Sequence, residues 1–128
     1  EEKSGLFSVE FYKELQKTLI DRRNQWLLRF YNLLVKEPDA VIIGVGAAAK
    51  ANTWLNWHGL TGMHLKCITD SSEFKQGKFT PLSRIPIFGD DIFRTYEKPY
   101  ALILSWNISE PLKEALKKIN PNIRFLSQ

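Results

Sequence analysis

A single α/β domain is the fold that the sequence predicts. It is a Rossmann-like domain with a mainly parallel sheet of about five strands, flanking helices and a long helix in front. Three observations predict it. Short β-branched or apolar runs alternate with stretches of helical periodicity along the chain. The first such run, residues 41–45, leads into Gly44, Gly46 and Ala49, which satisfy G-x-G-x-x-G/A at the start of a helical stretch. Tyr100-Ala101-Leu102-Ile103-Leu104 is a continuous apolar run of the kind buried on both faces of a parallel sheet. One domain is expected over 1–128, with the long helix in 1–38 and the α/β core in 39–128.

The elements follow in order. Residues 8–36 read as one amphipathic helix with Ser8 as N-cap. Tyr12, Leu15, Leu19, Trp26, Phe30 and Leu33 recur at three- and four-residue steps, and Arg22 interrupts the stripe. Glu37-Pro38-Asp39 ends it. The helix is expected to pack on the sheet; the alternative is that part of it docks on a partner domain or subunit. Strand 41–45 and helix 47–58 come next. Ala48, Ala51 and Leu55 form a narrow stripe on that helix; Lys50, Trp54 and Trp57 form another. The tryptophans read as core or contact residues, and His58 before Gly59 as a helix end.

Residues 64–69 read as the second strand, parallel to the first and closed by Asp70. Residues 71–84 make a polar loop at the end where open α/β sheets bind ligands. Ile85-Pro86-Ile87 is a short edge strand because of its proline. A short helix is expected over 90–96, a buried strand over 100–104, a helix over 110–119 capped by Ser109, and a last strand over 123–126.

Composition narrows the classes of function. The 128 residues are 44% apolar and 25% charged, which argues against disorder. The net charge of +4 is spread along the chain, so no nucleic-acid partner is expected. One cysteine, Cys67, and two histidines, His58 and His64, make no metal cluster. A lone cysteine fits a reducing, cytoplasmic setting. No run approaches the roughly 20 apolar residues of a membrane span. The start, Glu1-Glu2-Lys3-Ser4-Gly5, has no signal-peptide character and lacks an initiating Met, so a piece of a longer protein is expected.

The glycine turn makes the start of the second helix a candidate phosphate site. Lys50 in the first helical turn is placed against the macrodipole, which a bound anion would offset. Asp70 lies where an acid accepts a ribose hydroxyl. Beside the reading given by the resemblance below, two stay open: a stand-alone nucleotide-binding or oligomerisation module without catalysis, and a small NAD-linked oxidoreductase. The last lacks a defensible Tyr-Lys or Cys-His pairing.

A wider set of residues carries a resemblance. It comprises Gly44-Val45-Gly46-Ala47-Ala48-Ala49-Lys50-Ala51-Asn52-Thr53-Trp54-Leu55-Asn56, then Ile68-Thr69-Asp70. It continues through Lys75-Gln76-Gly77-Lys78-Phe79, Pro81, Ile85-Pro86-Ile87 and Leu102-Ile103-Leu104-Ser105-Trp106-Asn107. In order and spacing this set resembles the C-terminal domain of the S-adenosylmethionine-dependent sugar C-methyltransferases, which act on nucleotide-linked deoxy-keto-sugars. The resemblance covers about residues 41–107 and departs from the family pattern at Ala51, Ser105 and around Leu82. It implies a parent with a zinc-binding region, a central domain that holds S-adenosylmethionine and the catalytic groups, and this third domain. It implies no catalytic residue, cofactor or metal in this chain. Its partners would be a nucleotide-diphosphate sugar and the methyl-donor domain of the same polypeptide. It further implies that Gly46, Ala47 and Lys50 face phosphate. Lys75, Gln76 and Lys78 would reach over the same crevice, with Trp106 and Asn107 walling it.

Overall fold

A computed structural model of the chain describes residues 8–126. They fall into two compact units divided between Pro38 and Asp39. The first holds one long helix, α1 (Val9–Lys36). The Ser8 side chain accepts from the Phe11 N–H at 3.1 Å, which satisfies one of the donors that a helix start leaves free. Glu37 ends the helix by donating its N–H to the Leu33 carbonyl. Along the expected apolar stripe, the Trp26 and Phe30 rings stack at 5.0 Å. Tyr12, Leu15 and Leu19 are exposed.

The second unit is a five-stranded sheet of β1 (Ile42–Val45), β2 (Cys67–Thr69), β3 (Ile87–Phe88), β4 (Tyr100–Ile103) and β5 (Arg124–Leu126). Its spatial order is β3-β2-β1-β4-β5 and every pairing is parallel. The chain runs outward from β1 through β2 to β3, then returns to lay β4 on the other side of β1. The order therefore reverses between β1 and β4, and open α/β sheets hold ligands beyond the strand ends at such a reversal. In register, Val45 stands between Thr69 on β2 and Ile103 on β4, so the three strands end side by side.

Two helices accompany the sheet: α2 (Ala49–His58) and α3 (Ser109–Ile119). One layer of core comprises Ile43, Val45, Cys67, Ala101 and Ile103 from the strands with Phe93, Leu116 and Ile123. Alternation along the strands turns Gly44 and Ile68 to the other face. There a Cβ on Gly44 would come within 3.0 Å of Leu104 Cδ1 and 3.1 Å of Ile68 Cγ1, so a side chain here would have to push these neighbours back from β1.

Several boundaries differ from the sequence reading, each for a local reason. The second strand begins at Cys67 rather than His64. Thr61 and His64 instead close a turn, with His64 N–H donating to the Thr61 carbonyl and Thr61 N–H to His64 Nδ1. The third strand is Ile87–Phe88, at the sheet edge, and the Pro86 carbonyl accepts from the Ile68 N–H. Residues 90–95 and 106–108 are 3-10 helices. The second of these runs directly into α3, so Ser109 is a helical residue and not a cap; Ile108 takes that place without a side-chain bond.

The 71–84 loop is itself hydrogen-bonded. Gly77 N–H donates to the Ile87 carbonyl, Ile87 N–H to the Lys78 carbonyl, and Phe79 bridges Pro86. Leu82 and Arg84 take positive φ values of 64° and 55° in the turn that Thr80 closes.

Candidate functional site

The strand ends enclose a cavity of about 150 Å³ lined by Val45, Gly46, Thr69, Asp70, Ser71, Asp90, Ser105, Ile108 and Leu112. Every wall follows from the topology. Val45 and Thr69 are the last residues of β1 and β2, and Ser105 lies just past β4. Asp90 comes from the 3-10 helix after β3, and Leu112 from α3.

Gly46 makes this closeness possible. Its φ is +101°, and a Cβ placed there would fall 2.1 Å from Ser105 Oγ. A side chain at this position would meet both backbone strain and a clash.

Asp70 organises the turn. Its Oδ2 accepts from the Ala47 N–H at 2.9 Å and its Oδ1 from the Ser72 N–H at 2.8 Å. The Gly46 N–H donates to the Thr69 carbonyl at 2.8 Å. The N–H groups of Gly46 and Ala47 are thus engaged with the end of β2. Lys75 Nζ approaches Asp70 Oδ2 at 3.7 Å, and Gln76 Nε2 donates to the Asp70 carbonyl at 2.9 Å. Lys75 is about half exposed, so this pairing adds little to stability and leaves the cation available.

The second helix starts on Ala48 with no side-chain cap. In its first turn, Lys50 carries Nζ to 5.9 Å from the Trp106 ring centroid. That contact brings together two of the residues named from sequence, beside the Ser105 wall. Lys78 and Asn107 are exposed and are not among the lining residues.

Sequence reasoning missed Thr69, Ser71, Asp90 and Ser105 as site residues. The rule that ligands sit beyond strand C-termini was the available signal for Thr69, Ser71 and Ser105. The same rule marks Asp90 just beyond β3, but its approach to β1 and β2 depends on where β3 pairs.

Other titratable groups have structural surroundings. Burial pushes the Cys67 thiol up to about 11, so the thiolate that reactive cysteines need is scarce. Burial also lowers the His64 pKa, in keeping with its Nδ1 accepting a backbone N–H. His58 Nδ1 lies 2.8 Å from the Trp54 carbonyl and its ring stacks on Trp54 at 3.8 Å. Among the described residues, no three His, Cys, Asp or Glu side chains converge as metal ligands, so a zinc ion does not fit on them. No described helix is long and apolar enough to cross a membrane.

Comparison with known proteins decides the family. The model of the C-methyltransferase C-terminal domain matches residues 1–126. The chain belongs to that family. It is also 31% identical over 81 residues to the C-methyltransferase NovU of Streptomyces niveus. That alignment takes in 63% of this chain and 19% of the relative.

Proposed function

We propose that this chain is the sugar-nucleotide-binding domain of an S-adenosylmethionine-dependent sugar C-methyltransferase, one part of a longer polypeptide. The observation that carries the reading is the crevice at the strand-order reversal, flanked by Lys50, Trp106 and Lys75. An uncapped helix start with a lysine in its first turn suits a diphosphate. An exposed indole beside it suits a base or a sugar face.

S-adenosylmethionine supplies the methyl group in such a reaction. The reading places the donor, and zinc with it, on other domains of the parent. The exposed Tyr12, Leu15 and Leu19 of α1 support a role for that helix in docking on the methyl-donor domain. The buried, lone Cys67 supports a cytoplasmic setting.

Thermal unfolding with a ligand panel tests the reading. UDP-glucose or TDP-glucose at a hundredfold over Kd contributes about 2.7 kcal/mol and raises Tm by roughly 10 °C. NAD and S-adenosylmethionine leave it unchanged. Stabilisation by NAD alone would contradict the proposal and favour an oxidoreductase domain.

A further inference from the structure

The edge of the sheet carries an exposed apolar ribbon that the crevice does not use. Residues 77–80 run back antiparallel along β3. Thr80 N–H donates to the Ile85 carbonyl, Ile87 N–H donates to the Lys78 carbonyl, and Phe79 stands opposite Pro86. Alternation along 85–88 buries Ile85 and Ile87 and turns Pro86 and Phe88 to the outer face, which Phe79 shares. Phe79 is 59% exposed and Phe88 45%. Phe74, earlier in the same loop, is 86% exposed.

The turn that closes the ribbon adds a fourth apolar side chain. Leu82 is 84% exposed, yet its φ is +64°, a conformation that suits glycine. Thr80 holds the turn in place. Its Oγ1 accepts from the Ile85 N–H at 2.9 Å and its carbonyl from the Arg84 N–H at 3.0 Å. A leucine so exposed adds no core contact to offset the strain. Backbone strain of this kind collects where a chain meets a ligand or a partner.

We infer that this ribbon, with Leu82 at its tip, is a surface on which the methyl-donor domain of the parent docks. The inference rests on the sugar-nucleotide reading. Methyl transfer needs the donor and acceptor atoms within about 3–3.5 Å, so a domain that holds the donor must come down over the crevice. The ribbon is continuous with the crevice rim. Asp90, which lines the cavity, lies just past Phe88, and Gln76 donates to the Asp70 carbonyl from the loop that leads into the ribbon. Charge gives the chemistry of the partner surface. From Phe74 to Arg84 the chain holds Lys75, Lys78 and Arg84 and no acid, so the face that meets it is apolar and bears carboxylates. A second copy of this chain would instead set the same cations against each other across a two-fold axis.

Hydroxyl-radical footprinting of the full-length parent and of this chain tests the inference. Phe74, Phe79, Leu82 and Phe88 react in this chain at every concentration and lose most of their reactivity in the parent. Leu82→Gly separates docking from folding. In this chain it relieves the left-handed strain and raises Tm by about 4 °C, with UDP-glucose affinity unchanged. In the parent the same variant restores reactivity at Phe79 and Phe88. Phe79→Ser is the second variant; it folds as the unaltered chain does, because Phe79 is exposed, and restores reactivity at Leu82 in the parent.

A fall in the Tm of this chain with Leu82→Gly would give Leu82 a structural role and overturn the inference. Protection of this chain alone that grows with its concentration marks a second copy and overturns it too. Protection that appears only with phosphatidylserine vesicles marks a membrane, with the same consequence. Full reactivity of the four side chains in a parent that binds UDP-glucose would overturn the docking and leave the sugar-nucleotide reading standing. Protection in a parent that does not bind UDP-glucose would keep the docking and remove that reading.

Discussion

Asp70 shows how one side chain can be placed by sequence and assigned by structure. The sequence puts an acid at the end of the second strand, where acids commonly meet ribose. The structure turns that carboxylate inward, onto two backbone N–H groups, with its side chain 14% exposed. A carboxylate in that position closes the glycine turn as a cap closes a helix. Asp70→Ala leaves two donors without acceptors and is expected to cost about 2 kcal/mol of stability. Asp70→Asn retains one acceptor and costs about half as much. Urea unfolding without ligand measures both. Full stability of Asp70→Ala, with loss of ligand binding only, would make Asp70 a ligand group instead.

At the scale of elements, the type and order of strands and helices were legible because the chain writes them in long patterns. The runs at 41–45 and 100–104 became β1 and β4, paired with each other at the centre of the sheet. Short elements were less legible. Whether His64 begins a strand depends on a turn closed by its own ring nitrogen, which hydrophobic pattern does not encode. Asn120 is a clearer case. In sequence it reads with Pro121 as a helix breaker. In the structure its buried Nδ2 donates to the Phe93 carbonyl at 2.9 Å and the Tyr96 carbonyl at 2.8 Å, while its Oδ1 accepts from Asn122 N–H. It ties the end of α3 to the 3-10 helix over 90–95, across more than twenty residues of chain. Asn120→Ala is expected to cost about 2–3 kcal/mol, because both carbonyls lose their donor. A change below about 1 kcal/mol in urea unfolding would show that other donors replace it.

For the whole molecule, the parallel sheet follows from composition and periodicity, and the sheet order places the crevice. The glycine turn, Asp70 and the lysines around them were visible in the sequence. The hydroxyl-lined cavity was not, since its walls come from the ends of separate strands and a 3-10 helix that meet only after β3 and β4 pair. Family membership makes this a C-methyltransferase C-terminal domain. The central proposal is that it binds a nucleotide-diphosphate sugar through cations outside the cavity. Titration calorimetry of UDP-glucose or TDP-glucose into the unaltered chain and into a Lys50→Ala, Lys75→Ala double variant tests it most directly. Loss of two charge-assisted phosphate contacts should weaken binding by about a hundredfold or more. Equal affinity of the two proteins would contradict it.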